Sequence, residues 1–221
     1  SGEPQHVALA AEMLAAAQLD EDALQCGAAA PFGSGLEAPR RALAHNCSGK
    51  HAGFLAVAVR LGAATDQYLH PDGVTQRAVL DRVTAMVGAP VTLAVDGCSA
   101  PTFRLPLAGL ATGFARLATP DGLAPERRAA CERMLTAVKR HPDLIAGSSK
   151  RICTDIARAS DGRLFPKVGA EAVYAVGVAG GDRALAVKVD DKWKVTLSGQ
   201  FGAKMKEGEA FNVGDLKFKK K

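Results

Sequence analysis

The sequence predicts an α+β fold, helical through most of its length and closing on an antiparallel set of strands. Two observations carry that reading. Apolar residues recur at three- and four-residue spacing from Val7 onward, and after Leu164 the pattern changes to short apolar runs separated by Gly-rich turns. The strand runs are also grouped and do not alternate with helices, which argues against a repeated βαβ unit.

The first helix is read from Val7, Ala10, Met13 and Leu14, with Ser1 placed to cap it. After Asp20 and a turn-rich stretch over 27–39, a second helix starts near Ser48 and runs through Phe54, Leu55, Ala58 and Leu61. It is apolar nearly all round, which predicts a place inside the domain. A third, Val74–Val87, is amphipathic through Val79, Val83 and Val87. Pro90 then introduces a strand-like run over 91–95 that ends on Asp96, Gly97 and Cys98. Helices follow at Leu107–Ala118, at Pro125–Arg140 with proline in the first turn, and over 148–159. The closing strands are Leu164–Val168, Val173–Val178 and 184–189.

From Lys192 the text changes. Trp193, Val195 and Leu197 alternate with polar residues, Gly199 and Gly202 intervene, and the chain closes on Leu216, Phe218 and three lysines. We read one domain over 1–191 and a lysine-rich tail over 192–221, one strand plus a weakly structured basic segment. The exchange of arginine for lysine fits a foreign or frame-altered extension, or an unusual natural tail.

Composition bounds the function. With 221 residues and 48% hydrophobic side chains the chain can bury a core. No apolar run approaches the roughly 18 residues a membrane span needs, and no basic-then-apolar segment opens the chain. A soluble, cytoplasmic protein is expected. The five cysteines are odd in number and widely spaced, which favours metal-binding or buried thiols in a reducing compartment over disulfides. The net charge of +5 is local: of thirteen lysines nine lie at or after Lys188, and no arginine follows Arg183. A surface built for phosphates would mix both residues across the fold, so neither nucleic acid nor membrane is expected as a partner.

Serine amidohydrolases often place a lysine three residues after the nucleophile, one helical turn away. No lysine here has a serine three positions before it; only Cys47 before Lys50 and Thr136 before Lys139 offer a nucleophile at that spacing. Thr136 reads as a surface residue of an amphipathic helix. Cys47 lies in His45-Asn46-Cys47-Ser48-Gly49-Lys50-His51, a run of polar and reactive side chains ahead of an apolar helix, where a helix N-terminus favours a thiolate or an anionic ligand. The plain alternative is Asn46 or Ser48 as a cap and Cys47 as a buried thiol. A second cluster, Asp96-Gly97-Cys98-Ser99, closes a strand. Two thiols from separate loops suit one metal, although their spacing matches no standard zinc pattern. Lys167, among apolar neighbours in Phe165-Pro166-Lys167-Val168-Gly169, is a candidate for burial as a general base; a stem lying along the surface is the alternative.

These segments carry a resemblance. Cys47-Ser48-Gly49-Lys50-His51-Ala52-Gly53-Phe54, Asp96 to Thr102, and Lys167-Val168-Gly169-Ala170-Glu171, with the opening Ser1-Gly2-Glu3-Pro4-Gln5-His6 and Arg140-His141-Pro142, resemble the rhizobial-type (class 3, asparaginase II) zinc-containing L-asparaginases. The resemblance covers nearly all of residues 1–190. It implies a fold similar to serine β-lactamases and glutaminases, a homodimer, and hydrolysis of L-asparagine to L-aspartate and ammonia. It places Cys47, Lys50 and Cys98 on the family's zinc ligands, the lysine as a neutral amine with its pKa strongly lowered, and the Zn2+ as an orienter of substrate. Lys167 falls on the lysine that assists a catalytic serine, and Asp96 lies where it would hold the substrate's amino group; His51 is a further candidate substrate contact, and could equally serve as an outer donor to a metal ligand. Family members carry, ahead of the position of Ser1, a Ser-x-x-Lys helix and a second catalytic serine. The fold is therefore expected to be incomplete at the N-terminus and the chain to lack a nucleophile. Two other functions stay open: a thiol amidase with Cys47 attacking and Lys50 as base, and a non-catalytic zinc-binding or interaction module.

Overall fold

The computed structural model describes residues 2–31, 33–34, 37–181, 183–189 and 195–201. Its architecture is α+β, and it divides into two compact units. Residues 1–85 with 90–105 form the first, and 86–89 with 106–221 the second.

The first unit begins with α1 (Pro4–Ala16), whose cap position is Glu3. Ser1, expected there, lies outside the described residues. Pro4 explains the start, since a proline at the first helical position has no N–H to leave unsatisfied. Ala10 and Leu14 of α1 pack with Ala52, Leu55 and Ala58 of α2 (Ser48–Arg60), and Leu24, Leu43, Tyr68 and Ala100 complete this core. Burying Leu55 completely contributes about 2 kcal/mol of apolar transfer free energy. The expected place of α2 inside the domain holds for one face, which buries Ser48, His51, Ala52, Leu55 and Ala58, and not for the other. Gly49, Lys50, Val59 and Arg60 are exposed, Val59 at 44%.

Between α1 and α2 the chain is tied down by one carboxylate. Glu21 accepts from the Arg41 guanidinium and from the Leu43 N–H (3.1 Å), while the Ala29 N–H and carbonyl bridge to Arg41. The Arg41 contact holds the Glu21 carboxyl below its usual range, against the opposing effect of burial. A carboxylate whose pKa is lower folded than unfolded stabilises above its unfolded pKa, and that stabilisation is lost as pH falls through the folded value. Acid titration of the folded chain is therefore expected to show a loss of stability below about pH 4.5, its ordinary value. Glu21→Gln should lose about 1 kcal/mol at neutral pH and flatten that part of the acid profile in denaturant melts.

α3 (Val74–Val87) follows, and two short strands, β1 (Thr92–Val95) and β2 (Pro101–Arg104), pair antiparallel with Val95 opposite Pro101. β2 was not expected from the sequence, where Pro101 masks a four-residue strand. The proline heads β2, where a missing N–H is tolerated.

The second unit places α4 (Leu107–Ala118) on an antiparallel four-stranded sheet of β3 (Leu164–Val168), β4 (Val173–Val178), β5 (Arg183–Val189) and β6 (Val195–Phe201), in that spatial order. The grouped strands read from the sequence are thus an antiparallel set. The expected terminal strand is β6; Trp193 and everything after Phe201 lie outside the described residues. Small residues form the helix-sheet contact: Ala175 stands opposite Ala186 and Gly177 opposite Ala184, with Ala111, Ala115 and Ala118 buried on α4. α5 (Pro125–Arg140) matches its expected bounds. α6 runs Ile152–Ala159 and not from 148, because Gly147 and Lys150 take positive φ (134° and 55°), which interrupts a helix. Among the described residues, no helix is long and apolar enough to cross a membrane.

Candidate functional site

Four of the sequence-predicted site residues meet in the first unit. Cys47 is the cap residue of α2, followed one turn later by Lys50. Neither Asn46 nor Ser48 caps the helix, since no side-chain cap bond is made there. The residue that fixes Cys47 is His45, whose Nδ1 accepts the Cys47 N–H at 3.1 Å.

Facing this helix start is the turn between β1 and β2. Asp96 N–H donates to the Ala100 carbonyl and Ser99 N–H to the Asp96 carbonyl, both at 2.9 Å, with Ser99 at φ 68°. That tight reversal brings Asp96 and Cys98 to one side. Asp96 Oδ1 accepts the Gly97 N–H (2.8 Å), while Oδ2 takes the Lys50 ammonium (2.7 Å) and the Cys98 thiol (3.5 Å). Ligand atoms of Cys47, Asp96 and Cys98 all lie within 4.8 Å of one another.

Electrostatics follow from that packing. Burial works against the Lys50 charge, but Asp96 and then the two thiols outweigh it, so its pKa stands above the ordinary lysine value. The carboxylate stabilises the ammonium directly. The same Lys50 contact holds Asp96 below the usual carboxylate range, against burial. The Cys47 thiol is pushed up by burial, which outweighs the attraction of Lys50; the neighbouring Cys98 adds to the rise. All five cysteines are free, and Cys131 and Cys153 are buried in α5 and α6 of the other unit.

His51, next along α2, is completely buried, with Nδ1 2.6 Å from the Tyr68 hydroxyl and its ring edge-on to Phe54 and Tyr68. Tyr68 OH also accepts the Gln25 N–H at 2.8 Å. Burial, then Lys50 and His45, push the His51 pKa down to about 4, and burial pushes Tyr68 up to about 12. Sequence reasoning found neither His45 nor Tyr68. The first acts through one backbone N–H and the second from 17 residues away, and neither leaves a spacing signature.

Lys167 belongs to the second unit, on β3 opposite Ala175. Of the two readings of Lys167, burial and a stem along the surface, the structure fits the second: Lys167 is exposed, and its amine donates to the Val168 carbonyl at 2.6 Å. β3 is an edge strand, and alternation buries Pro166 while leaving the next residue outward. Its own strand is anchored by the Val168 N–H, which donates to Cys153 Sγ at 3.2 Å.

A search of curated proteins finds no match to the chain. The family model for L-asparaginase II matches residues 1–196, which takes in both site segments and the strand of Lys167. On that match the chain belongs to the L-asparaginase II family, whose members are amidohydrolases.

Proposed function

We propose that this chain carries the metal- and substrate-binding part of an L-asparaginase site, serving the hydrolysis of L-asparagine to L-aspartate and ammonia. The observation that supports it is the meeting of Cys47, Asp96 and Cys98 within 4.8 Å, with the Lys50 amine on the same carboxylate. Two thiolates on a tetrahedral zinc at about 2.3 Å stand about 3.8 Å apart, so donors at this spacing fit the ion. Cys47 and Cys98 would hold it, with Lys50 as a neutral amine for the third protein ligand; the zinc, when bound, would orient the substrate.

Asp96 already grips an ammonium, that of Lys50, at 2.7 Å. Were Lys50 drawn to the metal, the carboxylate would face the α-ammonium of asparagine with the geometry it now uses for the lysine. That supports Asp96 as a substrate contact. Lys167 is carried as the lysine that assists a catalytic serine. The reading includes a β-lactamase-like fold and a homodimer in the cytoplasm.

No Ser-x-x-Lys occurs in the 221 residues. Ammonia release from L-asparagine is therefore expected from a version carrying a Ser-x-x-Lys helix ahead of residue 1, supplied with zinc, and not from the chain by itself. Lys167→Ala should abolish it. Release by the chain alone would bring Cys47 forward as nucleophile; release by neither would leave a zinc-binding module. Burial raises the pKa of Cys47, whereas a thiol nucleophile needs it lowered.

A further inference from the structure

β3 stands at one end of the sheet order, so one side of its backbone faces β4 and the other faces away from the sheet. Which groups face away follows from the ladder. The Gly169 N–H donates to the Val173 carbonyl and the Ala179 N–H to the Arg163 carbonyl, both at 2.8 Å, and bonded residues alternate along an antiparallel strand. Arg163, Phe165, Lys167 and Gly169 therefore turn their backbone groups to β4. Leu164, Pro166 and Val168 turn theirs outward.

An open edge offers alternating N–H and carbonyl groups, and that pattern invites a strand from another molecule. This edge offers no N–H. The Leu164 N–H donates to Ser160 Oγ at 3.1 Å, Pro166 has none, and the Val168 N–H donates to Cys153 Sγ at 3.2 Å. Ser160 directs its own proton to the Ala157 carbonyl at 3.2 Å, which leaves an oxygen lone pair for Leu164. Cys153 belongs to α6, which packs on β3, and Ser160 follows the last residue of that helix; they are 1% and 8% exposed. Of the outward carbonyls, that of Val168 already accepts the Lys167 amine. A strand laid against this edge would find no donor for its own carbonyls, which would lose water without gaining a partner. We propose that Cys153 and Ser160 guard the sheet edge: by consuming the two N–H groups that Pro166 does not remove, they close β3 to strand addition by a second copy of this chain. The edge keeps acceptors alone, so an isolated donor such as an ammonium can approach it, as that of Lys167 does, while an extended chain cannot pair. The guard acts on the backbone and is independent of the asparaginase reading.

The test removes both guards. Cys153→Ala/Ser160→Ala frees the Leu164 and Val168 N–H groups, and its sedimentation coefficient is expected to rise with protein concentration over a range in which the wild-type chain holds a constant value. Adding Val168→Pro withdraws one freed N–H by another route and should move the coefficient back toward that value, since proline is tolerated on an edge strand. A double variant that sediments as wild type overturns the proposal. So does association that Val168→Pro leaves unchanged, which would mark lost packing around α6 and not an open edge. Hydrogen exchange on the wild-type chain decides the matter even where the variants do not fold. The Leu164 and Val168 amides should be protected although β3 is the end strand, and exchange of either at the rate of an unpaired surface amide would sink the guard.

Discussion

Cys98→Ser is expected to weaken zinc binding by more than about 100-fold, the loss that removal of a mere outer partner of a ligand can reach. Cys98 is 3% exposed in the turn that also sets Asp96, and its thiol bonds to that carboxylate. A serine hydroxyl keeps the shape but is a poor zinc ligand beside a thiolate. Cobalt substitution makes the result visible: the sulfur-to-metal absorption of the wild-type chain should be lost or halved in Cys98→Ser and in Cys47→Ser. Cys131→Ser, in the buried α5 position of the other unit, is the control and should bind as wild type. Equal affinity in all three variants would remove the metal centre from the proposal.

Gly177→Ala is expected to cost about 2–3 kcal/mol of stability, near the top of the range for overpacking. A Cβ at this position would stand 2.6 Å from the Phe114 carbonyl oxygen and 2.8 Å from Ala118 Cβ. One of those neighbours is backbone, so relief requires α4 and β4 to separate. Gly122→Ala meets nothing within 4 Å and should stay within about 0.5 kcal/mol of wild type. Urea melts of the pair decide the matter; a Gly177→Ala protein as stable as Gly122→Ala would mean that the helix and sheet are not held at this distance.

Much of the fold was legible because it rests on local signals. Leu107–Ala118 and Pro125–Arg140 match the helices read from apolar spacing and a leading proline, and the Gly-rich punctuation separated β3, β4 and β5. The open face of α2 was missed because apolar composition does not say which face a residue occupies, and the start of α6 because the positive φ of Lys150 has no residue signature. The site was legible in part. Cys47 and Lys50 share a helix turn, and Asp96 and Cys98 share a strand end, so each half could be read from its own neighbourhood. That the halves meet through Lys50 and Asp96, 46 residues apart, depends on tertiary packing alone. Lys167 shows the same limit: apolar neighbours suggested burial, but strand register and the edge position decided against it.

The pairing of Lys50 with Asp96 also bears on what zinc uptake would release. On the proposed function Lys50 would bind the ion as a neutral amine and Cys47 and Cys98 as thiolates, so loading would set free the proton of the ammonium besides those of the thiols and leave the carboxylate open to another cation.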